Sequence, residues 1–450
     1  MRSTARVVFD DSLRVFVSVL ETQLGASPVQ KGLILRDVEG RLAFVAPAPM
    51  SDEQRVRAEA ALTERLGPYA RGGGRTVLAP DAPGAERWLA SPEARPERVH
   101  TDNGEAVEVR VLDRRAAGGD WMSEPAAPWK TPPARMVFAS MKGGVGRSTA
   151  LAVLAVDLSR TRNVLVVDLD LEAPGLGQML IADADRPRFG ALDWYMESSL
   201  QAVEPAFLEE MVAPSRLRAG NGLIDVVPAL GTSADEHPAN VLAKLSRAYL
   251  GGVDEQGATT FLQQTRKLID NLVVRSQYDA VLVDARAGLN ETTAAAILGL
   301  GADVLLFGVD TPQTFAAHRY LLAHLSRFPS EPYTEHDWLP CLKVVHAKAA
   351  ADPVAQQRFR DNAFRAFDEF LYRDVPMETN DEASAPLTRR EFGLEDREAP
   401  HHAWVVLSDA NYFQFDPLSE PSHVNESVYR PSFDGFVKAA RERMGLEEGR

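Results

Sequence analysis

The chain has a single cysteine, Cys341, among 450 residues. That excludes an internal disulfide and any multi-cysteine zinc or iron–sulfur site within one chain, so a small apolar residue in or near a core strand is expected there. Long hydrophobic runs are also missing. No stretch approaches the roughly 18 uninterrupted apolar residues of a membrane span, and the opening MRSTARVVFDDSLRVF lacks the apolar core and cleavage site of a secretory signal. A cytoplasmic protein is the expectation. Positive charge is in short supply, with 49 Lys and Arg against 64 Asp and Glu, a net charge of −15. This argues against a general affinity for nucleic acid, whose phosphates are held chiefly by Lys and Arg, and leaves room only for a local basic patch. The nine histidines include no H-E-x-x-H spacing, and the adjacent His401 and His402 point apart on any regular element. What remains is ordinary for a globular protein: 45% apolar and 25% charged residues, in a length that suits two or three domains.

Residues 116–134, AAGGDWMSEPAAPWKTPPA, are rich in Gly, Pro and Ala without apolar period and read as a linker. They divide residues 1–115, an accessory or interaction domain of α/β or α+β type, from residues 135–450. In the first part strands are expected at 6–9, 32–36, 42–46, 76–79 and 106–112, and helices at 13–24 and, after a Ser51 or Asp52 cap, 53–66. RGGGRT at 71–76 reads as a flexible turn. In the second part strands at 136–140, 163–171, 223–228, 280–284, 304–309, 342–346 and 404–407 alternate with helices, notably at 260–275, 291–300 and 312–327. Such alternation predicts an α/β doubly wound, mostly parallel sheet with ligands at the carboxyl ends of its strands.

One of those strand ends carries ASMKGGVGRSTA, residues 139–150. Gly143, Gly144 and Gly146 allow successive backbone N–H groups to converge on an anion, and the helix that follows adds its positive N-terminal end. The usual phosphate-loop pattern, G-x-x-x-x-G-K-[ST], would place Gly at Met141 and Lys at Arg147. Ser148 stands where a hydroxyl coordinates magnesium, with Thr149 one residue further for packing or a phosphate contact.

K-G-G-V-G-R-S-T resembles the deviant Walker A loop, K-G-G-x-G-[KR]-[ST], of the ParA/MinD superfamily of P-loop ATPases. The resemblance makes Lys142 the signature lysine, which reaches across an ATP-sandwich dimer, and it removes the need for glycine at Met141. Arg147 remains a departure: it keeps the charge, but its planar fork does not replace a lysine ammonium. DLDLEAPGLG, 168–177, resembles the block in which an aspartate two residues past the strand end directs the attacking water, here Asp170, with Asp168 nearer the metal. YDAVLVDARAGLNE, 278–291, resembles the Walker B strand: Asp284 would hold magnesium through water, and the N–H of Gly288 would sense the γ-phosphate. Arg286 takes the place of a proline and either pairs with a nearby acid or approaches phosphate or a partner. His346 stands where an Asn often reads the base, and Ser408 and Asp409, in VVLSDANYF, fall near the expected adenine position.

The resemblance covers roughly residues 135–446 and implies an ATP- and Mg2+-dependent protein. Its implied nucleotide contacts are Gly143, Gly144, Val145, Gly146, Arg147, Ser148, Thr149, Gly288, Ser408 and Asp409. Its implied catalytic groups are Lys142, Arg147 and Asp170, and its metal shell is Ser148, Asp284 and Asp168. The three motifs together also look like a bacterial subgroup of ParA-like ATPases, some of them fused or paired with interaction and effector modules. Relatives that share cysteines around a metal or cluster are excluded by the lone Cys341. Bacterial tyrosine kinases of this loop type end in a tyrosine cluster, whereas this chain ends GLEEGR. A MinD-like membrane helix would need a basic amphipathic end; residues 433–446 are amphipathic but run into Glu-Glu, and core docking is their expected use. Two functions stay open: an ATP-controlled homodimeric switch with slow hydrolysis, acting on a partner in a multi-protein system, and a non-hydrolysing nucleotide-sensing scaffold. In both, residues 1–115 bind an unknown protein.

Overall fold

In a computed structural model, residues 6–115, 117–254, 257–332, 334–372 and 392–447 are described. The chain divides into two compact units, Met1–Met122 and Ser123–Arg450.

The first unit is a five-stranded mixed sheet, formed by β1 (Leu33–Arg36), β2 (Leu42–Val45), β3 (Val77–Leu78), β4 (Arg95–His100) and β5 (Ala106–Asp113) in the order β3-β2-β1-β5-β4. Because successive strand residues face opposite sides, Ile34 and Phe44 join Phe16, Leu20, Leu62 and Leu66 of two helices on one face. Leu33, Leu35, Ala43 and Val45 meet Ala85, Trp88 and Leu89 on the other. The helix Asp52–Leu66 starts at a capping box: Ser51 accepts from the N–H of Gln54, whose side chain returns to the Ser51 N–H.

Two expectations for this unit are corrected. Residues 6–9 form no strand; Phe9 already opens the helix Phe9–Leu24, with Asp10 and Asp11 in its first turn, where carboxylates complement the helix dipole. The apolar pair Val7–Val8 is too short to distinguish a strand from a helix approach. In the other direction, the charged stretch RPERVH forms β4, which pairs antiparallel with β5 alone. An edge strand tolerates proline and charge, and that is why its pattern conceals it.

The second unit is built on eight strands: β6 (Ala134–Ser140), β7 (Val164–Asp168), β8 (Ala213–Pro214), β9 (Ile224–Val227), β12 (Ala280–Asp284), β13 (Asp303–Gly308), β14 (Leu342–Ala349) and β15 (Trp404–Leu407). They lie in the order β15-β14-β13-β6-β12-β7-β9-β8. A separate hairpin, β10 (Gly252–Asp254) and β11 (Gly257–Thr259), lies outside the sheet. All pairings in the large sheet are parallel except β8 with β9. The sheet is thus the expected mostly parallel α/β architecture, and its inner strands β6, β7 and β12 are buried nearly throughout, as parallel strands covered on both faces must be.

The run 163–171 stops being strand at Asp168, and the helix expected at 260–275 begins at Phe261 because Thr260 caps it by accepting from Gln263 N. Residues 123–133 have no regular structure but are tied down: the Ala126 N–H donates to the Leu298 carbonyl, the Trp129 N–H to that of Gly301, and the Arg135 guanidinium stacks 3.6 Å from the Trp129 ring centre. The closing helix is longer than expected, Glu426–Arg443, running through Pro431. It buries Phe433, Phe436, Val437 and Ala440 against the sheet, where the Phe436 ring lies 6.3 Å from that of Phe138 and 6.0 Å from that of Phe307. Among the described residues no helix is long and apolar enough to cross a membrane.

Candidate functional site

β6, in the middle of the sheet, delivers its carboxyl end to the loop 141–146, and the helix Arg147–Leu158 leaves from it. Val145 is buried in the core and anchors the loop, while Lys142, Gly143 and Gly144 stay exposed. Gly144 and Gly146 adopt φ of 73° and 91°, a region in which a side chain would be strained. A Cβ on Gly143 or Gly144 would meet no atom within 4 Å, so the backbone of the loop is open to a ligand. Open amides at the start of a twelve-residue helix are the donors that an anion would need.

Arg147, the first residue of that helix, does not turn toward the open face. It is 8% exposed, and its Nε donates to Asp284 Oδ1, its Nη2 to Asp170 Oδ2 at 3.2 Å and its Nη1 to Ser140 Oγ at 3.3 Å. The second oxygen of Asp284 accepts from Ser148 Oγ at 2.5 Å. β12 and β7 are neighbours in register, with Asp284 beside Asp168, so the two strand-end acids meet by construction. Burial works to lower the pKa of Arg147, but the charges of Asp284 and Asp170 outweigh it and the net shift is upward. Burial also raises Asp284, against the pull of Arg147. Asp168 is pushed up to about 7 by burial and by the neighbouring Asp284 charge.

The structure therefore brings Arg147, Ser148, Asp170 and Asp284 into one hydrogen-bonded cluster beneath the glycine loop. Asp168, expected in the metal shell, lies beside this cluster and holds two backbone N–H groups. Its Oδ1 accepts the N–H of Asp170 at 3.0 Å and its Oδ2 that of Leu176 at 3.2 Å, so it ties down the loop that carries Asp170. Gly288, with φ of 94°, donates its N–H to the Ser140 carbonyl at 2.9 Å. Thr149 is partly buried in the first turn of the helix. Lys142 lies exposed, its Nζ 3.3 Å from Gln313 Oε1.

The positions expected near a base lie at the end of β15. Asp409 accepts from Asn411 N at 2.9 Å and from Ser432 Oγ at 2.8 Å, and the Ser408 N–H donates to the Ala349 carbonyl; β15, which they follow, is separated from β6 by β14 and β13. His346 is 2% exposed and stacks on Phe359 with ring centres 4.0 Å apart, so its ring belongs to the core. Cys341, its thiol pushed up to about 12 by burial, is equally inert.

Of three further contacts, the first takes up one alternative the sequence left open for Arg286, pairing with a nearby acid, and the other two escaped the sequence. Arg286 meets Glu172 through both guanidinium nitrogens, at 2.7 and 2.6 Å, and Tyr249 donates to the same carboxylate at 3.1 Å. This joins the loop after β7 to the loop after β12. Lys348 donates from Nζ to the Gly144 carbonyl at 2.7 Å. Gln313 carries no motif of its own; only the fold brings it to the site.

Ser148 and Asp284 offer hard oxygen donors side by side, a hydroxyl and a carboxylate, in a cluster whose two acids outnumber its one cation. Among the described residues no group of three or more His, Cys, Asp or Glu could by itself hold a metal ion. That combination suits magnesium, which takes one or two protein oxygens and completes its shell with water and phosphate oxygens.

Residues 136–306 match the family described as the CobQ/CobB/MinD/ParA nucleotide binding domain. Among solved structures, the chain is similar to a ParA family ATPase from Chlorobium tepidum (16% identity, 68% of this chain and 99% of that one, TM-score 0.40). It is also similar to a McdA variant from Cyanothece in complex with ATP (15%, 71% and 100%, 0.43) and to MinD in the MinC:MinD cell division complex of Aquifex aeolicus (17%, 70% and 98%, 0.41). No curated protein matches the sequence.

Proposed function

With residues 136–306 a CobQ/CobB/MinD/ParA nucleotide binding domain, we propose that the protein is an ATP- and Mg2+-dependent dimerising switch that hydrolyses ATP slowly and controls a partner. The observation that carries this reading is the cluster of Arg147, Ser148, Asp170 and Asp284 directly beneath an open glycine loop. Phosphoryl transfer asks a protein for positioning and charge stabilisation more than for covalent chemistry, and these residues divide that work. The loop amides from Gly143 to Ser148 receive the phosphates. Ser148 and Asp284 would hold magnesium, which when bound neutralises the phosphate oxygens and draws charge from the breaking bond. Asp170, at the open side of the cluster, orients the attacking water. Lys142, exposed on the loop, is available to the nucleotide of a second copy. Residues 1–115 are the surface for a protein partner.

Arg147 favours a second reading, a nucleotide sensor without hydrolysis, because its guanidinium engages Asp170 itself. Phosphate release separates the two. The switch requires slow release that Asp170→Ala abolishes, together with a doubling of mass under a non-hydrolysable ATP analogue that Lys142→Ala prevents. Equal release from wild type and Asp170→Ala leaves the sensor; no ATP binding at all removes both.

A further inference from the structure

Arg147 occupies the position of the lysine that ordinarily serves the phosphates, yet its guanidinium is buried among Asp284, Asp170 and Ser140. Two positive groups remain at the open loop. One is Lys142, held near Gln313. The other is Lys348, which arrives from a different strand.

Lys348 is the one residue besides glycine, among those described, with a positive φ, 50°. It sits where the register between β14 and β15 shifts, between His346 and Ala349, and it is the single exposed position of an otherwise buried eight-residue strand. A register irregularity of this kind re-aims a side chain. The one here lays Lys348 along the glycine loop: Nζ lies 2.7 Å from the Gly144 carbonyl oxygen, and Cε 3.8 Å from where a Cβ on Gly146 would stand. Left-handed backbone is costly for a lysine, and an exposed ammonium-to-carbonyl bond returns little of that cost. Strain of this kind persists where the surrounding structure holds it for a purpose. The ammonium has three donors and Gly144 takes one, so two remain for an anion at a loop whose own cation has turned away.

We propose that Lys348 is a phosphate ligand of the bound nucleotide, supplying to a nucleoside di- or triphosphate the ammonium that Arg147 withholds. The assignment rests on the reading of the loop as an ATP site. It makes the site composite, with amides from the loop after β6 and a cation from the end of β14.

The test is calorimetric titration of the full-length protein with ATP and with ADP, alongside its melting temperature, for wild type, Lys348→Gln, Lys348→Gly and Lys348→Arg. Glutamine can still donate to the Gly144 carbonyl but carries no charge, so affinity for both nucleotides should fall on the order of tenfold or more, as for a charge-assisted hydrogen bond. Glycine suits φ of 50°, so its melting temperature should lie at or above that of wild type while affinity falls as for Gln. Arginine should retain most of the binding. Wild-type affinity in the Gln and Gly variants overturns the assignment and leaves the ATP site standing. A lower melting temperature in Lys348→Gly, accompanying the lost affinity, marks a loop tether and also overturns it. Wild type that binds neither nucleotide overturns the assignment together with the reading beneath it.

Discussion

Arg147 Nη2 donates to Asp170 Oδ2 at 3.2 Å, so the cation of the glycine loop and the carboxylate that would direct water are partners. A bidentate or forked contact is what arginine provides and lysine does not, since an ammonium is a point charge on a flexible stem. Arg147→Lys is therefore expected to keep ATP binding but to release Asp170, and phosphate release should rise. Arg147→Ala is expected to leave Asp284 buried without its counter-charge, and stability should fall by about 3–5 kcal/mol, the usual cost of breaking one side of a buried pair. Single-turnover phosphate release and chemical denaturation check the two variants. A lysine variant slower than wild type would show that the guanidinium assists the reaction.

Ser148 Oγ shares Asp284 with Arg147, one oxygen each. Magnesium bound there would need both the hydroxyl and the carboxylate, so the effect of Ser148→Ala should depend on the metal. ATP affinity is expected to fall about tenfold in magnesium and to change little in EDTA, where wild type and variant should bind equally weakly. Equal losses in both buffers would mean that Ser148 contacts phosphate and not the ion.

The legibility of this chain is uneven for physical reasons. Strands buried on both faces, such as VLVVD and AVLVD, announce themselves as apolar runs, and the glycine loop is a local pattern; the central sheet and the position of the loop could both be read. Edge strand β4 could not, because Arg95, Glu97 and Arg98 satisfy an edge and also resemble a loop. Site geometry was harder still. Nothing within KGGVGRST tells whether Arg147 faces phosphate or the acids, since that depends on Asp284, 137 residues later. Lys348 was invisible because its role arises from a register shift between two strands, which leaves no local pattern. The inward acid Asp168 was legible as a strand end, but its two N–H partners were not.

Glu172 and Arg286 link the loop that bears Asp170 to the loop after Asp284. Both side chains are about one-third exposed, so solvent screens the pair and its direct contribution to stability is modest, about 0.5–1 kcal/mol. Its effect on position should be larger. Glu172→Gln and Arg286→Ala are each expected to slow phosphate release several-fold with little change in melting temperature or ATP affinity, and the double variant should be no slower than either single one. Additive losses would show that the two residues act separately.

His346 supplies one part of the pH dependence. It is buried against Phe359, its Nδ1 has no hydrogen-bond partner among the described residues, and burial lowers its pKa to about 4. His318, with Nε2 likewise unpartnered, is also held at about 4 by burial. In the unfolded chain both titrate near the ordinary histidine value of about 6.5. At these two positions the unfolded state binds more protons than the folded one between these limits, so their contribution to stability is fully present above about 6.5 and is lost as pH falls toward 4, while Asp168, raised to about 7, works in the opposite direction. His346→Phe keeps a ring of similar size on Phe359 and removes the titrating group. Its melting temperature is expected to match or exceed that of wild type at about pH 7.5 and to decline less steeply between about pH 6.5 and 4.5. A variant whose pH profile runs parallel to that of wild type would place the acid lability elsewhere, first at His318.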